Sequence, residues 1–426
     1  MTDNKKLTIT QKIILFAFVS LIIGLPYFIR KIMILNFGFG YMRPMRLYFQ
    51  FIPLLYIMYL GFRSKEFKTP YLFLFLLLIG GFFCLENLPI RLGFPKDYQF
   101  IWQQMDIYIF FLMLVNFGRS RRVFYKVIDY AFYCALILCA ILISGYAGLL
   151  KISYTDIALK ELLFYGRAQL AVHPNEAAYI CVFGALLLII KQLNERNFTL
   201  PHIIRDVLCM FVFNGIIIIS STRGALVISA GLTLYYVLFI WRHFIKRMSN
   251  YNKYALIFMT VLIAVSSIYL IINSDFGSRI PDLLIYKRFV FALENFSNCI
   301  NTAGGVNMRF VNNENAWRNF LNHPFAGVGF VSAAKNFELG TGTRANNQYL
   351  HMLASSGIFF FILYLYYNFR LVACRIALLK RPEVALCLFY HAFYLFLRRP
   401  LNITAIMAYT AFYFYYQDRV KDAGGI

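Results

Sequence analysis

The sequence predicts an all-α polytopic membrane protein with about 12 transmembrane helices and one long outer loop that carries short helices. Three observations lead there. Of the 426 residues, 60% are hydrophobic and only 14% are charged, where a soluble domain would expose far more charge. Apolar runs of roughly 15–22 residues recur along the whole length, each about long enough to cross a hydrocarbon core of about 30 Å as a helix. Lys and Arg gather on alternate connections between those runs, as the positive-inside rule requires of cytoplasmic loops.

In order, the runs are Ile13–Pro26, Leu47–Phe62, Tyr71–Leu85, Ile101–Phe117, Val127–Leu149, Ala177–Ile190, Val207–Ser220, Ala225–Trp241, Tyr254–Ile272, Leu350–Tyr367, Val384–Leu397 and Ile403–Tyr416. The first lacks a small-residue cleavage site and is followed by all the others, so it reads as a retained helix and not as a secretory signal. No soluble domain of independent size is left over, and the chain reads as a single integral membrane domain, residues 1–426, with the loop 273–346 inside it. The basic clusters are Lys5 and Lys6; Arg63, Lys65 and Lys68; Arg119, Arg121, Arg122 and Lys126; Lys191, Arg196 and Arg205; Arg242, Lys246, Arg247 and Lys253; Arg370, Arg375, Lys380 and Arg381; and Arg419 with Lys421. Their parity places both termini in the cytoplasm. One outer connection, between Arg30 and Arg46, is basic against the rule, which either a different placement of the first two helices or an outer surface that meets phosphate would account for.

The net charge of +23 invites a nucleic-acid reading. Positive-inside loops beside anionic head groups explain most of it, so membrane lipid is the expected partner and nucleic acid is not. Cys84, Cys134, Cys139, Cys181, Cys209 and Cys387 fall inside apolar runs and Cys374 sits at a cytoplasmic end, which leaves Cys299 as the single outer-side thiol and implies no disulfide framework. The six histidines have no metal-ligand spacing and neither CxxC nor HExxH occurs, so no metal is expected.

Almost every connection is short, but Asn273–Asn346 is one long outer loop, and a loop of that length in a compact protein is functional or disordered. Phe289, Phe291, Phe296, Phe310, Trp317, Phe320 and Phe325 give it apolar surface enough for short helices lying on the embedded body. Its cations, Arg279, Lys287, Arg288, Arg309, Arg318, Lys335 and Arg344, are mostly arginines, whose guanidinium forks suit phosphate oxygens. An ordinary solvated loop would also tolerate them. A second outer loop, from Lys151 to Asn175, contains Arg167 and ends in the helix-start pattern His173-Pro174-Asn175-Glu176. Arg223 stands at the junction of two apolar runs in Ser220-Ser221-Thr222-Arg223-Gly224-Ala225. An ionisable group at membrane depth is a functional candidate, against the alternative of a snorkelling arginine that ends a helix. Gly224 and Ala225 would let a helix or ligand approach closely.

Ser-Ser-Thr-Arg-Gly-Ala at 220–225 followed by a long outer loop resembles the signature of the O-antigen ligase and polymerase superfamily of membrane glycosyltransferases. Inside the loop, Asn307-Met308-Arg309 leads through Trp317 to His323-Pro324-Phe325-Ala326-Gly327-Val328-Gly329, similar to that family's Arg, Trp and Pro-hydrophobic-x-Gly-x-Gly stretch. Arg318 and Gly329 are separated by ten residues, which resembles the Arg-x10-Gly loop motif of O-antigen polymerases. The ligase branch carries His, then Asn, Ser or Gln, then nine residues, then Gly. Here Asn347 is followed by the nine residues Gln348 to Ser356 and by Gly357, with Asn346 where the ligase has histidine. An imidazole titrating near pH ~6.5 can relay a proton and an amide cannot, so the departure favours a Wzy-type polymerase.

The resemblance, which covers roughly residues 160 to 370, implies a cofactor-free enzyme of the bacterial inner (cytoplasmic) membrane with a periplasmic active site. It would join undecaprenyl-pyrophosphate-linked oligosaccharide repeat units and release undecaprenyl pyrophosphate. Lipid-linked glycans would be its substrates and a chain-length regulator protein a further partner. Arg223, Arg309 and Arg318 are the expected cations for the departing pyrophosphate, with Glu314 as general base ahead of Glu176, Asp282 and His323. Arg167, Arg279, Arg344, Asn346, Asn347 and Tyr349 are the expected substrate-binding residues. Glu314 would equally suit an i,i+4 ion pair with Arg318, and His323 a turn. Two other readings stay open: an O-antigen ligase transferring polymer to lipid A core, and a flippase or transporter for a lipid-linked sugar, which broken helices and internal repeats would favour.

Overall fold

The computed structural model describes residues 7–26, 70–87, 98–117, 120–146, 149–150, 174–195, 200–220, 223–247, 307–330, 347–397 and 404–422, together with 29, 32, 33 and 36. Eleven α-helices and no strand occur among them: α1 Ile9–Ile23, α2 Pro70–Glu86, α3 Tyr98–Phe117, α4 Arg121–Tyr146, α5 Pro174–Glu195, α6 Leu200–Ile219, α7 Arg223–Arg247, α8 Asn307–Asn322, α9 Gln348–Cys374, α10 Pro382–Leu397 and α11 Thr404–Asp422. A 3₁₀ turn, Ile376–Lys380, precedes α10. The helices begin where the local chemistry satisfies their first amides. Thr8 and Gln11 form a reciprocal capping box at α1, and Gly24, at φ 82°, closes it. Proline opens α2, α5 and α10, where a missing N–H costs nothing.

The predicted apolar runs coincide with α1 to α7 and α9 to α11, apart from Leu47–Phe62 and Tyr254–Ile272, which lie outside the described residues. Within the long loop, α8 is a short helix of the expected kind. Two stretches, Arg121–Gly145 and Gln348–Arg370, are long and apolar enough to cross a membrane, and Ile9–Ile23, Phe73–Glu86, Ala177–Leu193 and Gly224–Phe239 are shorter apolar helices.

The chain divides into two compact units. One comprises 1–24, 41–127 and 298–426, the other 25–40 and 128–297. In the second unit α5, α6 and α7 pack on one another. Gly184 lets the Phe213 ring approach so closely that a methyl there would fall 2.6 Å from it. Asp129 and Lys191 pair at 2.8 Å between α4 and α5. Between α6 and α7, Asn214 donates to Thr233 at 3.2 Å and accepts from Ser229 at 2.7 Å, the interhelical hydrogen bonding expected of helices in an apolar setting. Asp206, buried, is held by Arg205, by Tyr236 at 3.1 Å and by Gln192.

In the first unit α9 is central and packs on α2, α8, α10 and α11. A methyl at Gly81 would overlap the Phe360 ring, so α2 and α9 meet at close range. At the far end of α9, Arg381 pairs with Asp418 and lies 5.1 Å over the Phe414 ring.

Candidate functional site

The site grows from one irregularity in α9. Gly357 adopts φ 75° and ψ 177°, so the helix is broken into Gln348–Ser356 and Ile358–Cys374. That region of backbone space is essentially closed to residues with a side chain. The break frees hydrogen-bonding groups that an apolar environment cannot leave unsatisfied, and the loop after α8 takes them. Val328 N–H donates to Ala354 O at 2.9 Å, Gly329 N–H to Ser355 O at 3.0 Å, and Ile358 N–H to Pro324 O at 2.8 Å.

The glycines of His323-Pro324-Phe325-Ala326-Gly327-Val328-Gly329 have a steric cause in this contact. A Cβ at Gly327 would lie 2.4 Å from the Ser355 carbonyl, and one at Gly357 would lie 2.1 Å from Phe325 O. Gly327 and Gly329 also have φ of 64° and 91°, which glycine adopts freely. The frame Asn347–x9–Gly357 has a cause too. Asn347 Oδ1 accepts from Tyr349 N–H at 2.9 Å and Leu350 N–H at 3.3 Å, capping the half-helix that ends at Gly357. The nine residues between them are that half-helix.

Helix α8 leads into the loop and lies on α9 through Ala316, packed against Ala354 with Phe320, Val328 and Leu350 around them. Its outer face carries Glu314 and Arg318, paired at 2.6 Å with side chains 57% and 71% exposed. The pair is the i,i+4 arrangement the sequence allowed, and both groups stay open to solvent. Arg309 lies in the first turn of α8. Arg223 opens α7, immediately after the turn that closes α6, in the second unit. Tyr349 hydrogen-bonds Ala392 O at 3.2 Å, tying the start of α9 to α10. His323 is exposed in the turn after α8, where its N–H closes onto Asn319 O and Phe320 O. Glu176 lies in the first turn of α5. Arg167, Arg279, Asp282, Arg344 and Asn346 lie outside the described residues. So does Cys299, while Cys84, Cys134, Cys139, Cys181, Cys209 and Cys387 are free. Among the described residues no group of three His, Cys, Asp or Glu is placed to hold a metal ion.

One participant escaped the sequence reading. Glu86, the last residue of α2, is 2% exposed and accepts the Phe330 N–H at 2.6 Å. The available signal was a carboxylate directly abutting an apolar run, a position where an ionisable group is expensive and calls for a reason.

These features define an all-helical protein in which a soluble-faced helix and a glycine loop are locked onto a broken apolar helix. Residues 207–365 match the model of the O-antigen ligase family, Wzy_C, which supports a relationship of this segment to the O-antigen ligase/polymerase superfamily. Members of that family are membrane glycosyltransferase-like enzymes acting on lipid-linked glycans. The matched stretch contains Arg223, α8, the glycine loop and the break at Gly357. No curated protein matches the chain.

Proposed function

We propose that the chain is a Wzy-type polysaccharide polymerase of the bacterial inner membrane. It joins undecaprenyl-pyrophosphate-linked repeat units on the periplasmic side. A hydroxyl at the non-reducing end of one lipid-linked unit attacks the anomeric carbon of another. The new glycosidic C–O bond forms as the bond from the anomeric carbon to the pyrophosphate oxygen breaks, the hydroxyl proton passes to a base, and undecaprenyl pyrophosphate departs. The donor is already activated, so no nucleotide is needed. Charge gathering on the pyrophosphate dominates the barrier, and fixed cations lower it. Arg223, Arg309 and Arg318 are assigned that role, Glu314 that of base, and Arg167, Arg279, Arg344, Asn346, Asn347 and Tyr349 the binding of substrate. Long polyprenyl tails keep both substrates in the bilayer, which suits an integral membrane enzyme.

The observation that carries the branch is the state of the family's frame. Asn347, Gly357 and the glycine loop build it intact, while the position just before the cap holds Asn346 in place of the ligase histidine. The broken α9 is a feature that the transporter reading calls for, but the carbonyls of Ala354 and Ser355 beside the break are taken by Val328 and Gly329 N–H, which favours a structural use of the break.

The proposed topology has both termini in the cytoplasm. Contacts within each unit fit the alternation of sides, since Glu86 meets Phe330 and Arg381 meets Asp418, each pair sharing one side, while the Lys/Arg parity alone assigns which side is the cytoplasm. Asp129 and Lys191 do the same in the second unit.

The test is complementation. Expressed in a host lacking its own polymerase but retaining a ligase, the chain should restore a ladder of long glycans on a gel. Attachment restored in a ligase-deficient host, with chain length unchanged in the polymerase-deficient one, would refute the reading.

A further inference from the structure

We propose that Glu86 is a positioning residue: a latch that holds the Pro324–Phe330 loop on the broken helix and thereby sets α8, with its arginines, for the reaction. The inference rests on the polymerase reading for its purpose, and on geometry alone for its existence.

Glu86 closes α2 and is almost wholly buried. A carboxylate in such a place is costly unless a donor meets it, and the donor is the backbone N–H of Phe330, a residue 244 positions away in the chain. This one bond ties the two distant segments together. Phe330 is gripped twice. Its ring, fully buried, meets Phe82 edge to face at 5.1 Å, one helical turn before Glu86 on α2. The same ring lies 6.2 Å from His351, in the half-helix that precedes the break.

The latch therefore closes the far end of the loop whose near end is bonded to α9 through Pro324, Val328 and Gly329. The loop begins directly at the end of α8, where Gly327 N–H bonds His323 O and His323 N–H bonds Asn319 O. Loosening residue 330 would free the loop and, with it, the helix that carries Arg309, Glu314 and Arg318. Burial keeps the Glu86 carboxylate from touching a sugar or a phosphate, so it acts on them only through the protein, and the loop that it bonds is the part that leads to α8.

Two substitutions separate this role from the alternatives. Glu86→Gln keeps an acceptor oxygen of the same reach, and Glu86→Leu fills the space without one. Hydrogen exchange at the amides of Val328, Gly329 and Phe330 reports the latch in purified protein. Glycan length in a polymerase-deficient host reports its use. Glu86→Gln should match the unmodified protein in both. Glu86→Leu should exchange these amides about tenfold faster or more, the effect of losing one buried hydrogen bond, and should make single-repeat products. Glu86→Met, a chain of similar length whose thioether is only a weak acceptor, repeats that arm if the leucine variant fails to insert.

Unchanged exchange in Glu86→Leu and Glu86→Met would overturn the latch. So would loss of long glycans in Glu86→Gln with exchange unchanged, because the charge itself would then be the agent. If the unmodified chain lengthens no glycan, the polymerase reading falls and the exchange rates alone decide the latch.

Discussion

Replacing Gly357 by alanine is the sharpest perturbation of this site, and its size can be worked from the coordinates. At φ 75° and ψ 177° a residue with a Cβ carries strain of about 1–3 kcal/mol. The new methyl would stand 2.1 Å from Phe325 O, 2.4 Å from its carbonyl carbon and 2.8 Å from Ala326 N. These are backbone atoms and cannot rotate aside, so the loop must lift. Lifting breaks the bonds from Val328 to Ala354, Gly329 to Ser355 and Ile358 to Pro324, each worth about 1 kcal/mol net. If α9 straightens instead, the strain vanishes, but Ile358 N–H turns back to Ala354 O and the loop loses its seat all the same. The two routes cost roughly 3–6 kcal/mol of loop docking, a large share of a typical folding free energy of about 5–15 kcal/mol. Thermal unfolding in detergent, read beside glycan length in the polymerase-deficient host, measures both consequences. Gly80→Ala is the control: no atom lies within 4 Å of the added methyl, and an alanine within a helix should be neutral or stabilising by up to about 1 kcal/mol. A Gly357→Ala protein that unfolds at the unmodified temperature and makes long chains would refute the argument.

The other expectations concern charge and topology. Arg309→Ala should abolish long glycan while expression and insertion stay normal, with turnover lower by about 10²–10³-fold if the guanidinium grips the transition state; normal chains from a well-expressed variant would remove Arg309 from the site. Glu314→Gln should lower chain formation by about 10²-fold or more through loss of the base. Its exposed pairing with Arg318 adds little to stability, about 0–1 kcal/mol, so an inactive variant with an unchanged unfolding temperature is expected and an active one would send the search for the base elsewhere. A cysteine placed at Lys335 should react with membrane-impermeant reagents from the outside, and labelling only from the cytoplasm would overturn the topology.

Most of the helical architecture was legible because burial in an apolar medium forces continuous runs. Pro70–Glu86 and Tyr98–Phe117 nearly coincide with the predicted runs for that reason. Where helices extend past those runs, the added residues are polar turns that hydropathy does not see: α4 begins at Arg121 and α11 continues to Asp422. The site was legible only as a string. Proline, two glycines and a distant third glycine could be read in order, but their meeting could not, because it depends on a non-local exchange of backbone hydrogen bonds that leaves no periodic trace. The partner of Glu86 was hidden for the same reason, being a main-chain N–H contributed from 244 positions away.

That geometry also sorts the family's motif into two parts with different tolerance to change. Asn347 serves as a cap, Gly357 as a break, and Gly327 and Gly329 as the surfaces that let two backbones touch; each is fixed by sterics or by an orphan amide whatever the substrate. The residue just before the cap is none of these four, and the resemblance places the ligase histidine there. An asparagine at 346 on an intact scaffold is therefore a change of chemical group and leaves the frame unbroken. An amide there can orient a sugar hydroxyl or a phosphate oxygen but cannot take a proton, so the proposed mechanism assigns the base to another residue. Acceptor choice in turn rests on the shape of the whole cleft and not on one side chain. On the proposed function, placing histidine at 346 should consequently leave glycan lengthening in the polymerase-deficient host intact, and a gain of ligase activity from that one substitution would show that the branch is decided by the proton relay alone.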